Sequence, residues 1–187
     1  MKGFSSSSEK LYSFDVRKNK KLKFYVNLAS ALVGIAMFAV GCLIVPFKEI
    51  YNVPNLNKFI LRAGVLVLCM AASLALHELI HIIATKVLTG HSARTGFDKF
   101  YPYVGNKGSV GKAEYILISL SPFVIIGAIL LGLLFAVPRG IFWLVYITFI
   151  LHITGSVGDL YCAFKIMSER NGIRIKDNGK AVEIWLK

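Results

Sequence analysis

The chain has 187 residues, of which 56% are hydrophobic and 17% charged, with a formal net charge of +12. Its apolar content exceeds the roughly 45–50% of soluble domains and, with the long apolar runs below, indicates one compact membrane domain. The lysines and arginines gather beside those runs, as membrane topology and anionic headgroups require, and no groove-reading motif accompanies them; the reading is no nucleic acid.

Residues 1–23 are polar, with a serine run at Ser5 to Ser8 and basic residues at Arg17, Lys18, Lys20, Lys21 and Lys23. They read as a flexible basic cytosolic N-terminus, its first part disordered. The first apolar run, Phe24 to Val45, is long enough to span a bilayer. Ala39-Val40-Gly41-Cys42 resembles a loose lipoprotein cleavage box, but apolar sequence continues past Cys42, so an uncleaved helix is expected. Pro46 ends it. After a short loop, a second helix is expected from about Phe59 to Leu88, with Arg62 reaching for the surface and Gly90 as the stop.

A polar connection from Thr89 to Glu114 follows, rich in aromatics. Gly105-Asn106-Lys107-Gly108 reads as a turn, and strands on either side of it would make an interfacial hairpin; an unstructured amphipathic loop is the alternative. The third run, Tyr115 to Val137, is interrupted by Ser121-Pro122, which predicts a kink or a late start. After a turn at Pro138-Arg139-Gly140, the fourth run extends from Ile141 to Met167. In the tail, residues 168–187, two short strands flank Asp177-Asn178-Gly179, a hairpin signal. The fold class is therefore an all-α membrane protein, with four transmembrane helices in residues 24–167 and small interfacial and cytosolic β-hairpins. The basic flanks place both termini in the cytoplasm of a multi-pass protein of the cell membrane. Cys42, Cys69 and Cys162 lie in separate apolar runs and make no disulfide framework.

The chemistry lies in the second and fourth runs. His77-Glu78-Leu79-Ile80-His81 reads H-E-x-x-H, and on a helix its histidines share one face, one turn apart. Both imidazoles can reach a zinc ion, while Glu78 stands close enough to act as general base toward a water held by the metal. Ionisable groups in lipid are expensive, so these need a purpose. Of ten acidic residues only Glu78 and Asp159 lie well inside an apolar run, and His152 is the third intramembrane histidine. Glu78 lies about 15 Å, and Asp159 about 12 Å, from the cytoplasmic ends of their helices at 1.5 Å per residue. Polar stripes at steps of four, Ser73/His77/His81/Thr85 and Thr148/His152/Ser156, would face one another, with Gly155 and Gly158 allowing close approach. Asp159 is the preferred third ligand because its depth matches. His152 stays open as an alternative ligand, or as a group that orients a ligand or stabilises the oxyanion. His91 reads as a surface residue.

With H-E-x-x-H at 77–81 and His152-Ile153-Thr154-Gly155-Ser156-Val157-Gly158-Asp159, the chain resembles a family of small bacterial membrane proteins known as putative zincin peptidases. More widely it is similar to site-2 proteases, which pair H-E-x-x-H on one span with an aspartate on a later one. Their aspartate lies in a motif ending Asp-Gly, whereas Asp159 is followed by Leu160. Ser121-Pro122 resembles their Gly-Pro element. The resemblance implies a zinc-dependent endopeptidase acting in or beside the bilayer on a membrane-protein substrate, with residues 97–114 holding that substrate as an added strand. Two other readings stay open: a non-catalytic relative serving as a binding or regulatory module, and a small proton-coupled transporter using Glu78, Asp159 and His152. The sequence says nothing of the substrate's identity or of oligomeric state.

Overall fold

The computed structural model describes residues 10–16, 18–51, 54–98, 101–106, 108–179 and 181–186. The serine run of the N-terminus and Lys107 of the expected turn lie outside the described residues.

Among the described residues, four helical stretches are long and apolar enough to cross a membrane. They are α1 (Lys20–Ile44), α2 (Leu56–Thr89), α3 (Lys112–Ala136), and the pair α4 (Arg139–Gly155) and α5 (Val157–Met167), which together make the fourth. Their outward faces stay apolar, with Leu43 and Phe135 each 87% exposed. Such surface is a liability in water and the ordinary condition in lipid, where a helix satisfies its own backbone groups. The protein is an all-α membrane protein carrying small antiparallel sheets. Pro46 follows α1, and Gly90, at φ +69°, follows α2 in the left-handed conformation that favours glycine.

The helices and strands fall into two compact units. One contains Val26–His77 and Pro122–Val157. Here α1 approaches α4 through its glycines. A Cβ on Gly34 would lie 3.3 Å from the Thr154 methyl, and one on Gly41 would overlap the Tyr146 ring. Tyr146 donates its hydroxyl to the Met37 carbonyl at 2.6 Å, and the Trp143 indole donates to the Pro46 carbonyl at 3.3 Å. Trp143, Tyr146, Phe142 and Val45 form the buried cluster of this unit. Gly155 and Gly158 do not serve as contact points, since nothing lies within 4 Å of where their Cβ atoms would be. The small residues that matter for packing are on the opposite partner, α1.

The other unit contains the N-terminal segment through Tyr25, with Glu78–Ser121 and Gly158–Lys187. Its strands are β1 (Lys10–Phe14), β2 (Ala93–Asp98), β3 (Tyr101–Asn106), β4 (Val110–Gly111), β5 (Ile173–Asp177) and β6 (Val182–Leu186). The expected tail hairpin is β5–β6, pairing Ile173 with Leu186 through to Asp177 with Val182. It is the centre of a four-stranded antiparallel sheet, β1-β6-β5-β4. Side chains alternate across the strands, so Ile173, Ile175, Val182 and Ile184 all enter one core with Phe14, Val110, Tyr115 and Ile166.

Three expectations are corrected. The reversal of the 89–114 connection does not fall at residues 105–108. Gly105 and Asn106 are paired strand residues facing Arg94 and Ala93, and the hairpin β2–β3 turns between Asp98 and Tyr101. Gly105 is needed for closeness rather than for a turn: a Cβ there would lie 2.5 Å from the Gly179 nitrogen. The N-terminal segment is not flexible throughout, because Lys10–Phe14 finds a ladder partner in β6, and α1 already begins at Lys20. Helix α3 starts at Lys112 and is helical through Pro122, so the late start does not occur.

Candidate metal centre

Helix α2 runs unbroken for 34 residues, so the 3.6-residue period alone stacks His77 over His81. The boundary between the two units falls inside this helix, between His77 and Glu78. The polar stripe is its sheltered side. Ser73, His77 and His81 are half-buried and Thr85 is fully buried, while Leu74, Leu76, Leu79, Ile83 and Val87 are exposed.

Asp159 reaches the site by another route. The expected continuous fourth helix is interrupted at Ser156. The Ser156 hydroxyl donates to the His152 carbonyl at 2.8 Å, and the Ser156 N–H donates to the same carbonyl at 3.1 Å. Serine back-bonding of this kind competes with the regular ladder and bends helices. The chain then restarts as α5, with Asp159 in its first turn, where the helix dipole favours a carboxylate.

One donor atom from each of His77, His81 and Asp159 lies within 4.8 Å of the others. The His81 Nε2 to Asp159 Oδ2 distance is 3.7 Å. The other ring nitrogen, Nδ1, lies 3.1 Å from the carbonyl oxygen of Ile118 in α3. A carbonyl can only accept, so Nδ1 carries the hydrogen, and Nε2 is the nitrogen turned toward the Asp159 carboxylate. With His81 neutral, the Nε2 lone pair and the carboxylate oxygen face each other as two ligand atoms would across a cation. Two ligands at 2.0–2.2 Å on a tetrahedral zinc stand about 3.4 Å apart, close to the observed spacing. Two imidazoles and a carboxylate are also a recognised catalytic zinc set, with a fourth position left for water. The residues fit the metal.

Glu78 is half-buried on α2 beside these ligands, and its charge acts on His81. His152 is 6% exposed, and its ring meets that of His77 with centroids 5.6 Å apart at 63°. It stands beside the His77 ring, outside the group of His77, His81 and Asp159. The cysteines are free thiols.

Two participants are not legible in the sequence. Asp177, expected only as a turn residue, accepts from the Gly179 N–H at 2.7 Å and from the Tyr115 hydroxyl at 3.1 Å. Burial lifts its carboxyl to about 6; those two donors oppose the rise, and the like charge of Asp159 adds to it. The tail sheet thus brings a third acid within electrostatic reach of Asp159 and His81. Nothing in the local sequence Asp-Asn-Gly distinguishes a buried acid from an exposed turn. The second participant is the Ile118 carbonyl, whose only sequence signal is the proline four residues later.

A protein-family model described as "Putative zincin peptidase" matches residues 70–174. The matched stretch takes in α2 from before His77, the connection, α3, α4, α5 and the start of β5. No curated protein and no solved structure matches the chain.

Proposed function

Since the chain belongs to the putative zincin peptidase family, we propose that it is a zinc-dependent endopeptidase that cleaves membrane proteins in or beside the bilayer. The observation that carries this is the convergence of His77, His81 and Asp159 on one point, with Glu78 next to it in the H-E-x-x-H order. His77, His81 and Asp159 hold the metal. When bound, zinc supplies Lewis acidity that polarises a peptide carbonyl and makes water nucleophilic near neutral pH. Glu78 accepts the proton of the attacking water and delivers it to the departing amine. His152, packed on His77, keeps that ring from turning. A substrate helix hides its peptide groups in hydrogen bonds, so it must unwind before attack, and helix breakers near the scissile bond are expected.

The sheet supports the proposed topology. It joins β1, which precedes the first span, β4, between the second and third, and β5 and β6, after the fourth. Those segments therefore share one side of the membrane. They carry most of the basic residues, against Lys48, Lys58, Arg62 and Arg139 in the opposite loops, which makes that side cytoplasmic. The hairpin β2–β3 then sits at the cytoplasmic face, where a substrate strand could add to it.

The test is zinc content together with cleavage of single-span membrane proteins carrying helix breakers, in detergent, for wild type, Glu78→Ala and Asp159→Ala. Glu78→Ala keeps zinc and loses cleavage by about 10²–10⁴-fold, the worth of a general base. Asp159→Ala loses zinc. Cleavage that survives Glu78→Ala removes the peptidase mechanism and leaves the binding-module reading. Glu78→Gln, unable to turn over, serves to trap the native substrate for mass spectrometry.

A further inference from the structure

Helix α3 keeps Pro122 fully buried in its interior, ten residues from its start. Proline has no N–H, so the carbonyl four residues earlier loses its helical donor. That carbonyl is Ile118. It is the same oxygen that faces His81 Nδ1 at 3.1 Å, and it also accepts the Ser121 hydroxyl at 2.9 Å. A carbonyl oxygen has two lone pairs; in a regular helix the N–H of residue 122 would take one of them, and with the Ser121 hydroxyl on the other none would be left for His81.

We propose that Pro122 is a positioning residue for the metal: by withholding its N–H, it leaves the Ile118 carbonyl to His81, and so fixes that ring with Nε2 toward Asp159. The inference rests on the metal reading given above and adds a third helix to it. A histidine ligand has two nitrogens and rotates about its side-chain bonds. Ordering it requires a partner for the nitrogen that does not bind the metal, and such partners govern ligand orientation and basicity. Here the partner is a backbone oxygen on a rigid helix, which cannot itself turn away. The unpropped alternative is that Pro122 is only a tolerated irregularity, with Ser121 alone satisfying the freed carbonyl, as hydroxyl residues do near prolines in membrane helices. The two accounts differ in what the missing N–H is for.

They are separated by Pro122→Ala, which restores the N–H, and Ser121→Ala, which removes only the hydroxyl. The measurements use the full chain in nanodiscs. In the metal-free protein at pH 8, ¹⁵N shifts of the His81 ring report the tautomer. Wild type and Ser121→Ala are expected to show the hydrogen on Nδ1, and Pro122→Ala a shift toward Nε2. Zinc affinity, read by competition with a chromophoric chelator, is expected to fall about 10–100-fold in Pro122→Ala and to hold in Ser121→Ala. The thermal midpoint of Pro122→Ala should not fall, because a helix gains by losing an internal proline. A helix-stabilised variant that binds zinc more weakly is the outcome that a merely tolerated proline does not produce. The proposal is overturned if Pro122→Ala binds zinc as wild type does, or if wild-type His81 carries its hydrogen on Nε2. The tautomer of the wild type needs no variant, so the proposal stays testable should Pro122→Ala misfold. Wild type that binds no zinc at all would instead bring down the metal reading itself, leaving the tautomer to decide the hydrogen bond.

Discussion

The second and fourth spans bring the three candidate ligands together by different means. Helix α2 does so by regularity: 34 unbroken residues carry His77 and His81 into stack, and its sheltered stripe follows the helical period. The fourth span does so by interruption. At Ser156 the hydroxyl joins the ordinary N–H bond on the His152 carbonyl, and Asp159 follows in the first turn of α5. Two turns before it, His152 faces His77 instead of joining the group of donors. A pair of candidate ligands four apart needs only one helix; the third has to come from a distant span.

The sharpest way to break that contrast is to remove residues on either side of the interruption. Asp159→Ala should weaken zinc binding by more than the roughly 100-fold that bounds groups behind the ligands, and His152→Ala by about 10-fold or less. Equal losses, measured by chelator competition, would make His152 a ligand and the interruption irrelevant. Packing offers the next test. Gly41→Ala drives a methyl into the Tyr146 ring, which should cost about 1–3 kcal/mol. Gly155→Ala, with open space around it, should gain about 0.5–1 kcal/mol from helix propensity. Thermal unfolding in detergent compares the two, and a destabilising Gly155→Ala would restore the close approach that the sequence suggested for the fourth span.

The buried acid of the tail gives a pH-dependent test. Asp177 holds its carboxyl near 6 instead of near 3.8. Between those values the folded protein binds the proton more tightly than the unfolded chain. Its stability therefore declines as pH rises from about 4 through about 6 and is level above. Asp177→Asn should abolish the decline in metal-free protein, matching wild type below pH 4 and exceeding it by at most about 3 kcal/mol above pH 6. A midpoint difference that does not change with pH would place Asp177 in solvent. The smallest effect is expected for Ser156→Ala, which loses one hydroxyl bond but keeps the backbone one, about 0.5–1.5 kcal/mol.

What the sequence made legible follows the same division. Four spans, the H-E-x-x-H stack, the outlying aspartate and the tail hairpin all depend on local periodicity or on the expense of charge in lipid, and these can be read residue by residue. The companions of the tail hairpin could not. Strands β1 and β4 hold five and two residues, and neither is a strand except against β6 or β5. The β2–β3 turn is not where the sequence suggests, because Gly105-Asn106 has turn chemistry while its glycine is required by backbone crowding from residues 177–179. Pro122 reads in the sequence as a breaker, its common meaning, since a freed carbonyl has significance only with His81 beside it.

The four-stranded sheet has a bearing on how the molecule is made. Its earliest strand, β1, pairs with its last, β6, and β4 waits for β5. During synthesis the spans can enter the bilayer one after another while both outer strands remain single. Only when β5 and β6 have been made can the sheet close over Tyr115 and Ile166, so a nascent chain completes its spans before this core exists.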